Sequence, residues 1–95
     1  MTRRYSFAVD REQLQKVQRD AHNQGDLLVW TIYDHPRDLP HAFVARPHSS
    51  KHNAPLTCHF ESATLADVRR QMRDLGLVRM AAAPSDDPCI VECWL

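Results

Sequence analysis

The chain has two glycines, Gly25 and Gly76, in 95 residues. Phosphate-cradling loops and backbone oxyanion holes draw on flexible, closely approaching backbone, and neither is written here. Cysteine is also sparse: Cys58, Cys89 and Cys93 form an odd set with no C-x-x-C pair. The opening "MTRRYSFAVD" lacks the long apolar core and small-residue cleavage site of a secretory signal. The thiols are therefore expected to stay reduced, in the cytoplasm, with no disulfide framework. No window approaches the roughly 18 apolar residues that would span a bilayer, so no membrane segment is expected. Charge of one sign is missing too, because 12 basic side chains face 12 acidic ones. The basic pairs Arg3-Arg4 and Arg69-Arg70, with Arg73, are short and interleaved with acids. That balance argues against a dedicated nucleic-acid binder, whose affinity rests on clustered, uncompensated cations.

What remains is an ordinary globular composition, 43% apolar and 25% charged, on a chain of single-domain length, residues 1–95. In "FAVDREQLQKVQRDAHNQGD", Asp10 is placed to cap a helix starting near Arg11. Gln13 completes a capping box and Val9 with Leu14 a hydrophobic staple. Leu14, Val17 and Ala21 give one apolar stripe, and Gly25 supplies the stop. "DLLVWTIYD" reads as a strand with apolar residues on both faces, so both faces want cover. "HPRDLP" is a turn, "HAFVAR" a second strand, and "PHSSKHNAP" the longest polar loop. "LTCHF" is a short strand, and "ESATLADVRRQMRDLGL" a helix capped by Ser62 or Thr64 and ended at Gly76. "LVRMA" and "CIVECWL" are two closing strands joined by "AAPSDDP". The expected fold is α+β, two-layer, with two helices on a mostly antiparallel sheet in the order α-β-β-β-α-β-β.

Five of the six histidines fall between Tyr33 and His59. A zinc site can be drawn from His48, His52, Cys58 and His59, with His35 as a further donor. The prolines and serines around His48 and His52 oppose the helix that would align them, and the adjacent Cys58 and His59 of a strand point to opposite faces. The structural reading, polar residues of a strand-turn-strand, is therefore preferred. Asp34 beside His35 could form an oriented base, and Cys58 beside His59 an activated thiol. A turn-forming aspartate and a buried cysteine explain the same residues with less chemistry. No nucleophile or polarising loop accompanies the Asp34 pair, so the sequence leans away from an enzyme.

The preferred surface is a sheet face. Strict alternation in the last strand sets Ile90, Glu92 and Trp94 opposite Cys89, Val91 and Cys93, and a sheet covered by helices on one side leaves the other to water. If Trp94 and Tyr33 share that open side with Arg46 and Glu92, they make an aromatic patch rimmed by a charge pair, suited to a partner. The other reading has Trp94 packed inward at the end of the core. A homodimer through the open face would also account for the two-sided apolar strand.

"VWTIYDHPRDLPHAFVAR" and the ending "DDPCIVECWL" resemble a pattern in small bacterial proteins with no assigned activity: W-T-x-Y-D-H-P, then F-V-A-R, then D-D-P-x-I-V-E-x-W-L. The resemblance covers Val29 to Arg46 and Asp86 to Leu95 and implies a bacterial, intracellular small domain without an established substrate. Residues and resemblance together lead to the expectation of a non-enzymatic binding or protein-interaction module. It would be a homodimer or the partner of another protein, and would use Tyr33, Asp34, His35, Arg37, Arg46, Glu92 and Trp94. The alternative is a small metal- or thiol-dependent protein built on the 35–59 region.

Overall fold

A computed structural model describes residues 6–82 and 87–95. Arg3, Arg4 and Asp86 lie outside the described residues. The elements run β1 (Phe7–Ala8), α1 (Arg11–Asn23), β2 (Leu28–Asp34), β3 (Phe43–Ser49), β4 (Ala54–Pro55), β5 (Cys58–Ser62), α2 (Leu65–Asp74), β6 (Arg79–Ala81) and β7 (Ile90–Trp94). Two helices and, among the described residues, a seven-stranded sheet make an α+β fold. The strand order is β1-β5-β3-β2-β7-β6, with β4 paired to β3. Every pairing is antiparallel except β1 with β5. The expected order thus gains two two-residue strands, β1 and β4, too short to carry an alternation that sequence could show.

Local chemistry sets the helices. Asp10 accepts from the Gln13 backbone at 2.8 Å while the Gln13 side chain accepts from the Asp10 backbone at 2.9 Å, closing the capping box. Thr64 is the cap of α2 and accepts from Asp67 N. Gly25 and Gly76 follow the two helices at φ +68° and +80°, where a side chain would be strained.

Leu14 and Ala21 from α1 and Val68 and Met72 from α2 join Leu28, Trp30, Ile32, Ala45, Phe60 and Trp94 in one buried cluster. Leu28, Trp30 and Ile32 alternate along β2, so it is this row of the strand that the buried helix residues join. The Trp30 indole donates to Gln18 Oε1 at 2.8 Å, which satisfies the one polar atom of a fully buried ring.

Two expectations fail at β3 and β7. Strand β3 does not stop at Arg46 but crosses Pro47 to Ser49. Pro47 O accepts from Leu56 N, so the Pro47 nitrogen, on the same side of its strand, faces β4 and β5 without a hydrogen to donate. The partner chain adapts. His48 pairs with Pro55 and Ala45 with Phe60, leaving four residues, Leu56 to His59, opposite two, Arg46 and Pro47. Proline in a sheet interior is found at such bulges.

In β7, Trp30 lies opposite Trp94 and Ile32 opposite Glu92, but Tyr33 lies opposite Ile90. The extra residue, Val91, is a bulge, and it breaks the alternation so that Ile90 and Glu92 take opposite faces of the sheet. Glu92 and Trp94 therefore lie on the helix-covered side and Ile90 on Tyr33's side. The expected patch of Trp94 and Glu92 beside Tyr33 and Arg46 does not exist.

Candidate functional site

The face of the sheet opposite the helices carries Val29, Thr31 and Tyr33 from β2. Their cross-strand partners are His48, Arg46 and Val44 from β3, with Cys93 and Ile90 from β7. Its two halves differ. On the β3–β5 side, the turn after β2 folds over it, bringing Asp38 into an ion pair with Arg46. Arg46 in turn lies over the Tyr33 ring, 5.3 Å from its centroid. Ser6, just before β1, reaches the same side and its hydroxyl shares a hydrogen bond with His59 Nδ1 at 2.6 Å. Between them opens a cleft of about 540 Å³ lined by Ser6, Tyr33, Asp38, Arg46 and the segment Ala54–Thr57. On the β6–β7 side the face is apolar and bare: Val78 is 68% exposed, Met80 51% and Leu95 38%. Met80 pairs with Cys93, and Val78 exchanges backbone hydrogen bonds with Leu95, which sets these side chains in one strip.

The turn itself is built on Asp34 and His35. His35 adopts φ +47°, a region histidine tolerates better than most residues, and its Nδ1 bonds Asp34 Oδ1. The ring also meets Phe43 edge-on, with centroids 4.9 Å apart. Both side chains are about half exposed. Arg37 is exposed at the tip of the same turn. Of the seven residues expected to bind, Tyr33 and Arg46 meet, Asp34, His35 and Arg37 sit on the adjoining turn, and Glu92 and Trp94 belong elsewhere.

Glu92 is buried and holds together a second constellation. Arg69 of α2 donates to it through Nε and Nη2, the shortest contact 2.7 Å, and the Trp94 indole donates at 2.8 Å. Burial alone would push this carboxyl up. The Arg69 and Trp94 hydrogen bonds, with the charges of Arg69 and Arg79, outweigh it and hold the group below its usual range. Arg73 adds a cation over Trp94 at 5.9 Å. The arrangement ties α2 to β7 and commits Glu92 to the interior.

The histidines and cysteines are dispersed. His48 bonds Asn53 at 3.4 Å, and His52 lies beside Ser49, whose hydroxyl donates to Asp26. Cys58 and His59 are neighbours on a strand and point to opposite sides. Among the described residues no three His, Cys, Asp or Glu side chains gather where one metal ion could bind. The zinc set of His48, His52, Cys58 and His59 is thus not assembled, since sequence spacing placed in one stretch what the hairpin sends to separate faces.

Thiol chemistry fares no better. Burial pushes the Cys58 thiol up, and burial with the nearby Asp87 carboxylate does the same for Cys89, the opposite of what a nucleophile needs.

His59, which the sequence offered as a metal ligand and as the neighbour of Cys58, is nearly fully buried in β5. Burial lowers its pKa, against the neighbouring Glu61, which favours the neutral ring, and Nδ1 shares its hydrogen bond with the Ser6 hydroxyl. Nε2 has no hydrogen-bond partner among the described residues, with Glu61 Oε2 4.0 Å away. That distance is beyond hydrogen-bond reach, so the imidazole is not oriented from behind as a serine nucleophile's base must be. Ser6 and Asp38 are site residues that the sequence does not announce. Nothing in their local pattern marks them, because the turn and the parallel β1–β5 pairing bring them in from a distance.

Comparisons with protein-family models, with curated proteins and with solved structures found no match to this chain.

Proposed function

We propose that the protein is a non-enzymatic binding module of two layers, helices on one face of the sheet and the binding surface on the other. The observation that carries this is the division of that second face into a bare apolar strip, Val78, Met80 and Leu95, and a polar cleft around Tyr33, Arg46 and Asp38. Large exposed apolar side chains in one strip favour a protein partner. The strip flanks β6, which ends the sheet among the described residues, and because an edge strand can pair with another chain the partner we propose is a second copy of this one. The raised thiols at Cys58 and Cys89, and a Ser6–His59 pair without a third member, support binding over catalysis.

Site-specific photo-crosslinking tests this. A benzophenone side chain at Met80, in purified protein at high micromolar concentration, is expected to give an adduct of twice the chain mass. The same probe at Lys16, on the outer surface of α1, is expected to give none. Equal yields at the two positions, or no adduct at Met80, would remove the dimer.

No helix among the described residues is long and apolar enough to cross a membrane.

A further inference from the structure

Resting on the reading of this face as the binding surface, we infer that the cleft takes a free α-amino acid with an apolar side chain, held by its zwitterionic head. The cleft volume, about 540 Å³, is that of a small-molecule site. Its described lining carries one cation, Arg46, and one anion, Asp38, and these two touch. A simple anion reaching Arg46 would meet Asp38, and a simple cation reaching Asp38 would meet Arg46. A zwitterion whose ammonium and carboxylate are separated by a single carbon presents both charges at the spacing of the contacting pair, in the complementary order.

Arg46 is also prepared for such a role. Its guanidinium lies over Tyr33 and is fixed by Asp38, so little rotamer freedom remains to be lost, and the fork geometry suits a carboxylate. Asp38 keeps 60% of its side-chain surface and Arg46 28%, and both line the cleft. Ser6, Thr57 and Tyr33 share the lining with the charges, while Pro55 and the partly exposed Leu56 add an apolar wall. That wall is what an apolar side chain would cover, and it distinguishes the expected ligands from glycine.

The test is an NMR titration of the full chain with L-leucine and L-phenylalanine, compared with glycine, N-acetyl-L-leucine and L-leucinamide. Saturable shifts at Tyr33, Arg46 and Thr57 are expected for one of the first two. Removing the ammonium or the carboxylate is expected to weaken binding about tenfold or more, the loss of one charge-assisted contact. Asp38→Asn and Arg46→Gln should do the same, and because Asp38 is exposed its variant will fold even if the other does not. No saturable shift for leucine or phenylalanine, or acetylated and amidated leucine binding as well as leucine, overturns the proposal. A Met80 adduct without titration would fell the ligand and spare the dimer, titration without an adduct would fell the dimer and spare the ligand, and the absence of both would end both readings.

Discussion

Replacing Arg69 by methionine keeps most of its packing on α2 and takes the Nε and Nη2 donors from Glu92, leaving a buried carboxylate with the Trp94 indole as its hydrogen-bond donor. Breaking a fully dry ion pair from one side costs about 3–5 kcal/mol, because a charge is left without compensation. The Arg69 side chain retains 30% exposure, and solvent screening reduces the expected loss to about 2 kcal/mol. Glu92→Gln is milder, about 1 kcal/mol, since an amide oxygen still accepts from the indole and the freed guanidinium can turn to water. The double variant should recover about 1 kcal/mol relative to the sum of the singles.

Urea unfolding followed by tryptophan fluorescence measures this directly, because the chain has two tryptophans, both buried and directly opposite each other across β2 and β7. A loss of about 2 kcal/mol moves the midpoint by about 1 M at the usual slope for a small domain. The pH dependence has a definite sign. The folded-state pKa of Glu92 lies below its unfolded value, so its contribution is present above the ordinary carboxyl range and is lost as pH falls through the folded value. Glu92→Gln should remove that part of the acid sensitivity. An Arg69→Met midpoint within about 0.2 M of the parent, or strictly additive singles, would refute the reasoning.

His59 titrates in the other accessible window. Its pKa is lowered on folding by burial, so the unfolded chain takes up its proton first and stability declines as pH falls below the ordinary imidazole range. His59→Gln should flatten that decline in thermal melts, and an unchanged slope would count against a buried neutral imidazole. The thiols offer a check on the rival reading: labelling of Cys58 and Cys89 with a disulfide reagent should be slow near neutrality and accelerate only in alkaline buffer, whereas a fast thiol at neutral pH would favour thiol chemistry after all.

Sequence showed most clearly what local chemistry decides. The Asp10–Gln13 box, the Thr64 cap and the glycines after each helix are instructions written within a few residues of where they act. The even positions of β2 were legible as an apolar row, but not which row the helices would choose. Face assignment in β7 failed because Val91 is an inserted residue, visible only once the partner strand fixes the register. The Glu92–Arg69 contact and the Asp38–Arg46 pair join residues from different elements and have no local signature. The histidine stretch misled in the same way, since nearness along the chain said nothing of which side of a hairpin each ring would take.

Pro47 gives the fold something a longer insertion usually supplies. An imino acid in an interior strand deletes one hydrogen from the ladder, and the neighbouring chain, tied to Pro47 through Leu56 N, fits four residues opposite two and walls the cleft with its Leu56–Thr57 segment. The concavity is therefore specified by an omission in the scaffold more than by any side chain pointing into it. Side chains around the hollow can vary while the hollow persists, so a single backbone defect would let related sequences keep one cavity and change what it accepts.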